Sequence, residues 1–324
     1  MLRPEVQSIA DDIRSMKIRG AGHIARASVR GLMITAAKSG AASREEFMAE
    51  MEAASKSLIA TRPTAVSLPN GVRFIIYRLT GAASSGASLQ GLKESVTQSG
   101  EAFIKRSLEA VKKIADYGAR RIEDGDVIIT HCHSSAVVAL LKEAARQGKS
   151  IKVYSTETRP RYQGRITASQ LAEAGIPVTL IVDSASRYFM RKADKVLIGA
   201  DAVAANGAVV NKIGTSQVAL AAHEARVYVF VAAETYKFHP ETMVGKLVEI
   251  EERPSTEVVD KSFLESHPGV KVRNPSFDVT PSEYIDLIIT ERGIIPPQAA
   301  VLLLREEFGW LPSEGEALPL EGEF

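Results

Sequence analysis

The sequence predicts an α/β protein in which a helical N-terminal part precedes a mostly parallel sheet flanked by helices. Three observations carry this. Before about residue 120, apolar residues recur at the three- and four-residue spacing of amphipathic helices. After Asp124-Gly125-Asp126 the pattern changes to short, β-branched apolar runs. Those runs alternate five times with helical segments, and continuous apolar strands belong to a parallel sheet covered on both faces. The C-terminal part is therefore expected to be Rossmann-like.

The elements follow in order. Val6, Ile9, Ile13 and Met16 mark a first helix, which Arg19-Gly20-Ala21-Gly22 ends. An Ala-rich helix is predicted over 24–38. A third, over 44–59, has Phe47, Met48, Met51 and Leu58 as its apolar members. Arg62-Pro63-Thr64 and Pro69-Asn70-Gly71 carry turn chemistry, and 81–86 reads as a small-residue loop. A long helix over 89–117 leads to a boundary at 117–121. The expected division is a helical domain over 1–120 and a Rossmann-like α/β domain over 121–324. Strands are predicted at 127–130, 151–154, 178–182, 195–199 and 227–231. Helices are predicted up to Gly148, near 168–174, over 184–192 and over 215–225. Asn206-Gly207 predicts a hairpin.

Composition narrows the function classes. The 324 residues are 45 % hydrophobic and 24 % charged, which excludes a disordered or collagen-like chain. Lys+Arg 40 against Asp+Glu 39 leaves a net charge of +1, removing the electrostatic argument for a nucleic-acid partner. The single cysteine excludes an intrachain disulfide framework and a Cys-rich zinc site. No apolar run reaches the roughly 18 residues of a membrane span, and the first residues lack a signal peptide's apolar core. A cytoplasmic protein is expected.

In a parallel sheet, ligands sit outside the carboxyl ends of the strands. Three strand ends stand out. At Thr130-His131-Cys132-His133-Ser134-Ser135, the only cysteine precedes a capped helix and lies between two imidazoles. The residues allow either a reactive thiol of lowered pKa or a structural one. Consecutive strand residues point to opposite faces, so a metal site is not expected there. At Gly199-Ala200-Asp201, the aspartate reads as a helix cap or an acid/base group. At Asn211-Lys212-Ile213-Gly214-Thr215, a helix opens whose free amides could receive an anion beside Lys212; an ordinary turn is the alternative. Lys212 and Arg19 both read as exposed cations. Arg159, Arg161 and Arg165 read as anion-binding groups or as salt-bridged surface charge. Arg19-Gly20-Ala21-Gly22 looks like a phosphate cradle, with Arg62 in reach of a second anion. The GxGxxG and GxxxxGK[ST] fingerprints are both missing.

Taken in order, six runs resemble a known superfamily: RGAG (19–22), TRPTAV (61–66), THC (130–132), ETRPRYQG (157–164), GADAVAANGAVVNKIGT (199–215) and NPSFDVTP (274–281). It is the superfamily of aldose-1-phosphate isomerases and the regulatory subunits of translation initiation factor 2B, matched over about residues 19–297. Methylthioribose-1-phosphate isomerases carry Thr-x-Cys-Asn where this chain has His133-Ser134-Ser135 after its cysteine. The translation-factor subunits generally lack the cysteine–aspartate pair that this chain keeps as Cys132 and Asp201. The compact chain and its HCHSS context most resemble the ribose-1,5-bisphosphate isomerase branch.

That resemblance implies conversion of ribose 1,5-bisphosphate to ribulose 1,5-bisphosphate, in archaeal AMP breakdown feeding RuBisCO. Methylthioribose-1-phosphate isomerase or a non-catalytic translation-factor subunit are the alternatives. It implies Cys132 and Asp201 as the acid–base pair. It implies substrate contacts from Arg19, Gly20, Ala21, Gly22, Arg62, Ser135, Asn211, Lys212 and Lys237. No metal or organic cofactor is implied. The partners implied are the sugar bisphosphate and further copies of the chain, a dimer at minimum and a hexamer in the fullest form, with no nucleic acid and no membrane. The chemistry calls for such a pair. A sugar with phosphate on its anomeric carbon cannot form a free aldehyde, so ring opening needs a proton donor at the ring oxygen. Hydrogen must then move from carbon 2 to carbon 1 while the carbon 2 hydroxyl loses its proton.

Overall fold

Amphipathic spacing in the first third of the chain does produce helices. The structure, a computed structural model, describes residues 3–308. Helices α1 (Pro4–Arg14), α2 (Ala21–Ala37), α3 (Arg44–Ile59), α4 (Ser67–Ser84) and α5 (Leu89–Ala119) pack around Ile13, Leu32, Phe47, Met51, Leu68 and Leu92, all fully buried. Ser43 and Ser88 cap α3 and α5 by accepting from Glu46 N (3.1 Å) and Gly91 N (3.2 Å).

The predicted turn at Pro69-Asn70-Gly71 is wrong: these residues lie in the first turns of α4. The first backbone amides of a helix have no intrahelical partner, so a proline there loses nothing. Asn70 is not turn chemistry either. Its side chain donates to the carbonyls of Tyr236 (3.0 Å) and Phe238 (2.8 Å), tying the helical region to the sheet region. At Gly71 a Cβ would make only ordinary contact, 3.4 Å from the Ala25 carbonyl. The helix also runs through most of the predicted 81–86 loop.

Seven strands form the main sheet: β1 (Val127–Thr130), β2 (Lys152–Thr156), β3 (Val178–Ile181), β4 (Lys195–Gly199), β7 (Tyr228–Ala232), β9 (Leu287–Thr290) and β10 (Gly293–Ile295). Their order is β10-β9-β7-β4-β1-β2-β3, parallel except for β10. Helices α6 (Ser135–Arg146), α7 (Gln163–Ala172), α8 (Ser186–Met190) and α9 (Thr215–Ala225) join successive strands. Helix α7 begins five residues earlier than the pattern suggested. Gly164 there lies so close to the Thr156 carbonyl that no Cβ fits.

Between β4 and α9 the chain makes β5 (Ala202–Val203) and β6 (Val209–Lys212), joined by the expected Asn206-Gly207 turn with Gly207 at φ 82°. Strand β8 (Phe277–Thr280), which the apolar pattern did not predict, completes a small antiparallel sheet, β5-β6-β8. Helices α10 (Lys261–Ser266) and α11 (Ala300–Phe308) complete the described elements.

The topology fixes one location. The chain lays β1, β2 and β3 in one direction, then returns to place β4, β7 and β9 on the other side of β1. The crevice beyond the carboxyl ends of β1 and β4 is the switch point where such sheets bind ligands. Among the described residues, no helix is long and apolar enough to cross a membrane.

Candidate functional site

Cys132 follows β1 and Asp201 follows β4, so both emerge at that switch point. Cys132 has φ 69°, a left-handed conformation that costs a non-glycine residue on the order of 1 kcal/mol or more. Its neighbours hold it there. Thr158 Oγ1 accepts from Cys132 N (2.9 Å), and Thr167 Oγ1 donates to the Cys132 carbonyl (2.9 Å). Thr158 is also left-handed, at φ 63°, and its N–H donates to Asp183 Oδ1 (2.7 Å). None of these supporting residues was singled out in the sequence, because they come from three separate strand-end loops and helices.

Of the two readings that the sequence left open for the thiol, the lowered pKa is not borne out. Burial pushes the Cys132 thiol up to about 11; Lys212 opposes this and Asp201 adds to it. The residue retains some exposure, but its surroundings are packed with protein atoms. The two flanking imidazoles do not help. His131 is buried between Thr156 Oγ1 (2.7 Å) and the Ile213 carbonyl (2.9 Å), and burial lowers its pKa. His133 is lowered too, by burial and then by the charges of His23 and Arg19. Neutral rings give a thiolate no counter-charge. The charge of Arg19 acts on His133, so the RGAG segment is within electrostatic reach of the end of β1.

Ser134 caps α6 by accepting from Val137 N (3.4 Å), and Ser135 is the exposed first residue of that helix. Among the described residues, the amides of Ser135 and Ala136 have no backbone acceptor. The first amides of a helix have no intrahelical partner, so these two donors remain for a group from outside the helix.

Lys212 is buried rather than exposed. Its Nζ donates to the Ser276 carbonyl (2.8 Å) and lies 4.7 Å from the centre of the Phe277 ring. Burial lowers its pKa, while Cys132 and Asp201 act to raise it. The ammonium is thus within electrostatic reach of both the thiol and the carboxyl group. Asn211 is buried as well, and its amide donates to Thr215 Oγ1 (3.0 Å).

The start of α9 is not the open anion cradle that the sequence suggested. Asp278 of β8 accepts from Gly214 N (2.7 Å) and Ser216 N (3.2 Å). A carboxylate of the chain itself already satisfies those amides. Burial raises the Asp278 carboxyl to about 6 against the pull of these two amides and of Lys212.

Other cations are paired. Arg62 is buried and donates from Nη2 to Glu251 Oε2 (2.6 Å). Lys237 is ion-paired with buried Glu234 (2.6 Å). Glu234 also accepts from the Tyr236 hydroxyl (3.0 Å), and that hydroxyl would lie 2.8 Å from a Cβ placed on Gly22. The Lys237 segment and the RGAG segment therefore meet, and a Cβ at position 22 would force the tyrosine hydroxyl to shift. Gly20 precedes α2 at φ 85°, and Ala21 is the helix's first residue.

The arginine-rich loop has intramolecular partners throughout. Arg159 donates to Tyr162 Oη (2.6 Å), Arg161 pairs with Glu257 (3.1 Å) and Arg165 with Glu157 (3.3 Å). No group of three or more His, Cys, Asp or Glu side chains among the described residues is arranged to hold a metal ion. A cavity of about 520 Å³ lies at the opposite end of the sheet, lined by Arg187, Arg191, Arg226 and Tyr228 before β4 and β7, away from these groups.

The chain is 56 % identical to the ribose 1,5-bisphosphate isomerase of Pyrococcus furiosus, covering 96 % of each protein. It is 38 % identical to the methylthioribose-1-phosphate isomerase of Pelotomaculum thermopropionicum, over 90 % of this chain and 83 % of that protein. Among solved structures, a Pyrococcus horikoshii protein described as translation initiation factor eIF-2B superposes with a TM-score of 0.79 at 32 % identity. That match covers 93 % of this chain and all of the other. The model of the initiation factor 2 subunit family matches residues 17–297, and the chain is a member of that family.

Proposed function

We propose that the protein is an aldose–ketose isomerase that converts ribose 1,5-bisphosphate to ribulose 1,5-bisphosphate. The single observation that carries this is the 56 % identity, end to end, with a ribose 1,5-bisphosphate isomerase. The methylthioribose-1-phosphate alternative rests on a relative that is only 38 % identical. A bisphosphate needs cations at both ends, whereas a methylthio group needs an apolar pocket. The buried cations Lys212 and Arg62 support the former.

In this reading Cys132 and Asp201 act as the acid–base pair. Burial and the Asp201 charge both disfavour the Cys132 thiolate, so the thiol keeps its proton. That suits a reaction needing one donor and one acceptor. A proton goes to the ring oxygen as its bond to carbon 1 breaks, and the carbon 2 hydroxyl later gives one up. In the phosphoenolate route the hydrogen on carbon 2 leaves as a proton and returns to carbon 1. In the hydride-shift route it moves directly. Arg19, Gly20, Ala21, Gly22 and Arg62 contact substrate from the helical side; Ser135, Asn211, Lys212 and Lys237 contact it from the sheet side. We read 1–120 and 121–324 as two domains meeting over the substrate.

We also infer self-association, a dimer at minimum and a hexamer built from dimers. Strand β3 ends the sheet, and Leu180, Val182 and Tyr188 are exposed around it at 45 %, 54 % and 76 %. An apolar surface of this kind supports an interface between copies. Sedimentation showing only monomer at micromolar concentration would overturn this inference. The test of the activity is direct: incubate purified protein with ribose 1,5-bisphosphate and follow ribulose 1,5-bisphosphate. No conversion, together with turnover of methylthioribose 1-phosphate, would select the alternative.

A further inference from the structure

Residues 251–253 run antiparallel to 274–276, immediately before β8. Ser276 N donates to the Glu251 carbonyl (2.8 Å), and Arg253 N donates to the Asn274 carbonyl (2.9 Å). In an extended segment, residues two apart share a face. Glu252 accordingly turns outward to Arg273 (2.8 Å). Glu251 and Arg253 turn the other way, and Arg253 Nε donates to Glu251 Oε1 (3.1 Å). The second oxygen of Glu251 accepts from Arg62 Nη2 (2.6 Å). One carboxylate thus bridges two guanidinium groups that come from opposite sides of the crevice.

This cluster adjoins the reacting groups. The charges of Arg253 and Glu251 both act on Lys212, the ammonium that also feels Cys132 and Asp201. Burial alone would push the Glu251 carboxyl up, but Arg62 and Arg253 outweigh it and hold the carboxyl below its usual range. Both arginines are only 9 % exposed. Yet Arg62 Nε is buried without any hydrogen-bond partner, and Arg253 uses only Nε on a side chain. A guanidinium has five donors, and a buried donor left unmade is costly. Two arginine forks converging on one carboxylate, with donors to spare, present the geometry that a phosphate's several oxygens fill more completely.

We propose that Arg253 binds a phosphate group of the substrate together with Arg62, and that Glu251 is the internal anion this phosphate displaces. The proposal deepens the bisphosphate reading and rests on it. Arg253 then supplies part of the extra positive charge that a bisphosphate requires and a methylthio sugar does not.

The experiment compares Arg253→Gln, Arg253→Lys and Glu251→Gln with the parent protein, by steady-state kinetics on ribose 1,5-bisphosphate and by calorimetric titration with inorganic phosphate. Removing a charge-assisted contact should raise KM about 10- to 100-fold in Arg253→Gln while kcat stays within about threefold. Arg253→Lys should fall between, because the charge survives but the fork does not. Glu251→Gln should bind inorganic phosphate several-fold more tightly, since the competing anion is gone. Parental KM and parental phosphate affinity in Arg253→Gln would overturn the proposal. So would a Glu251→Gln variant that loses phosphate affinity as much as Arg253→Gln, which would make the bridge merely structural. Should Arg253→Gln fail to fold, Arg253→Lys and Glu251→Gln decide by the same readouts. A parent protein that does not turn over the bisphosphate sinks the functional reading separately, and the phosphate titrations still report on the subsite.

Discussion

The turns after β1 and after β6 have the same design and opposite outcomes. Each runs from a strand through a short turn into a helix whose first amides lack intrahelical partners. After β1, Ser134 takes only the Val137 amide, and among the described residues the amides of Ser135 and Ala136 have no backbone acceptor. After β6, Asp278 reaches across from β8 and takes the amides of Gly214 and Ser216. A helix start is thus an anion site only where no carboxylate of the chain has filled it. The β6 turn instead presents Lys212, which Ser276 and Phe277 then hold in place.

The largest effects should come from the acid–base pair at the ends of β1 and β4. Cys132→Ser keeps a similar size but is a far weaker acid, and Asp201→Asn removes a charge while keeping the shape. Each should lower kcat by about 10²–10⁴-fold with binding largely retained. The two losses should not multiply in the double variant, because the groups act as a unit. A Cys132→Ser enzyme of near-parental rate would break the mechanistic reading. Deuterium placed at carbon 2 sharpens it: washout into water supports the phosphoenolate route.

Next come the cations. Lys212→Met should weaken bisphosphate binding about 10- to 100-fold. Unchanged affinity would remove Lys212 from the site. The pH response of the thiol tests the same neighbourhood. With its pKa pushed up to about 11, Cys132 should react slowly with iodoacetamide at pH 8 and faster at each step upward. Rapid alkylation at pH 7 would restore the reactive-thiol expectation.

The smallest effects belong to the filled turn. Asp278→Ala should cost about 1–2 kcal/mol of stability, the usual loss for a helix cap, read by denaturant or thermal melts. Folding raises this carboxyl to about 6, so the folded chain holds more protons than the unfolded one between about pH 4 and 6. Its contribution is full below about pH 4 and lost as pH rises through 6. Asp278→Asn should flatten that part of the stability profile; an unchanged slope would assign it to other groups.

The same contrast separates what was legible in the sequence from what was not. The strands at 127–130 and 195–199 and the helix at 215–225 were legible because period and β-branching are local properties. Cys132 and Asp201 were legible because they end such strands. Pro69-Asn70-Gly71 misled because turn residues are tolerated in a helix's first turn, and because Asn70 serves a contact 166 and 168 residues away. Arg253 carried no signal at all: within Glu251-Glu252-Arg253-Pro254 it looks like surface charge.

The sequence by itself determined the alternation of helices and strands over 127–231, the strand ends where chemistry could sit and, through its runs of matching residues, the superfamily. The tertiary structure alone decided which groups are charged and which are free. It put Asp278 on α9, Glu251 between two arginines and Cys132 where burial keeps its proton. Periodicity reports a residue's neighbours along one element, whereas desolvation and ion pairing depend on atoms brought in from elements far away in the chain.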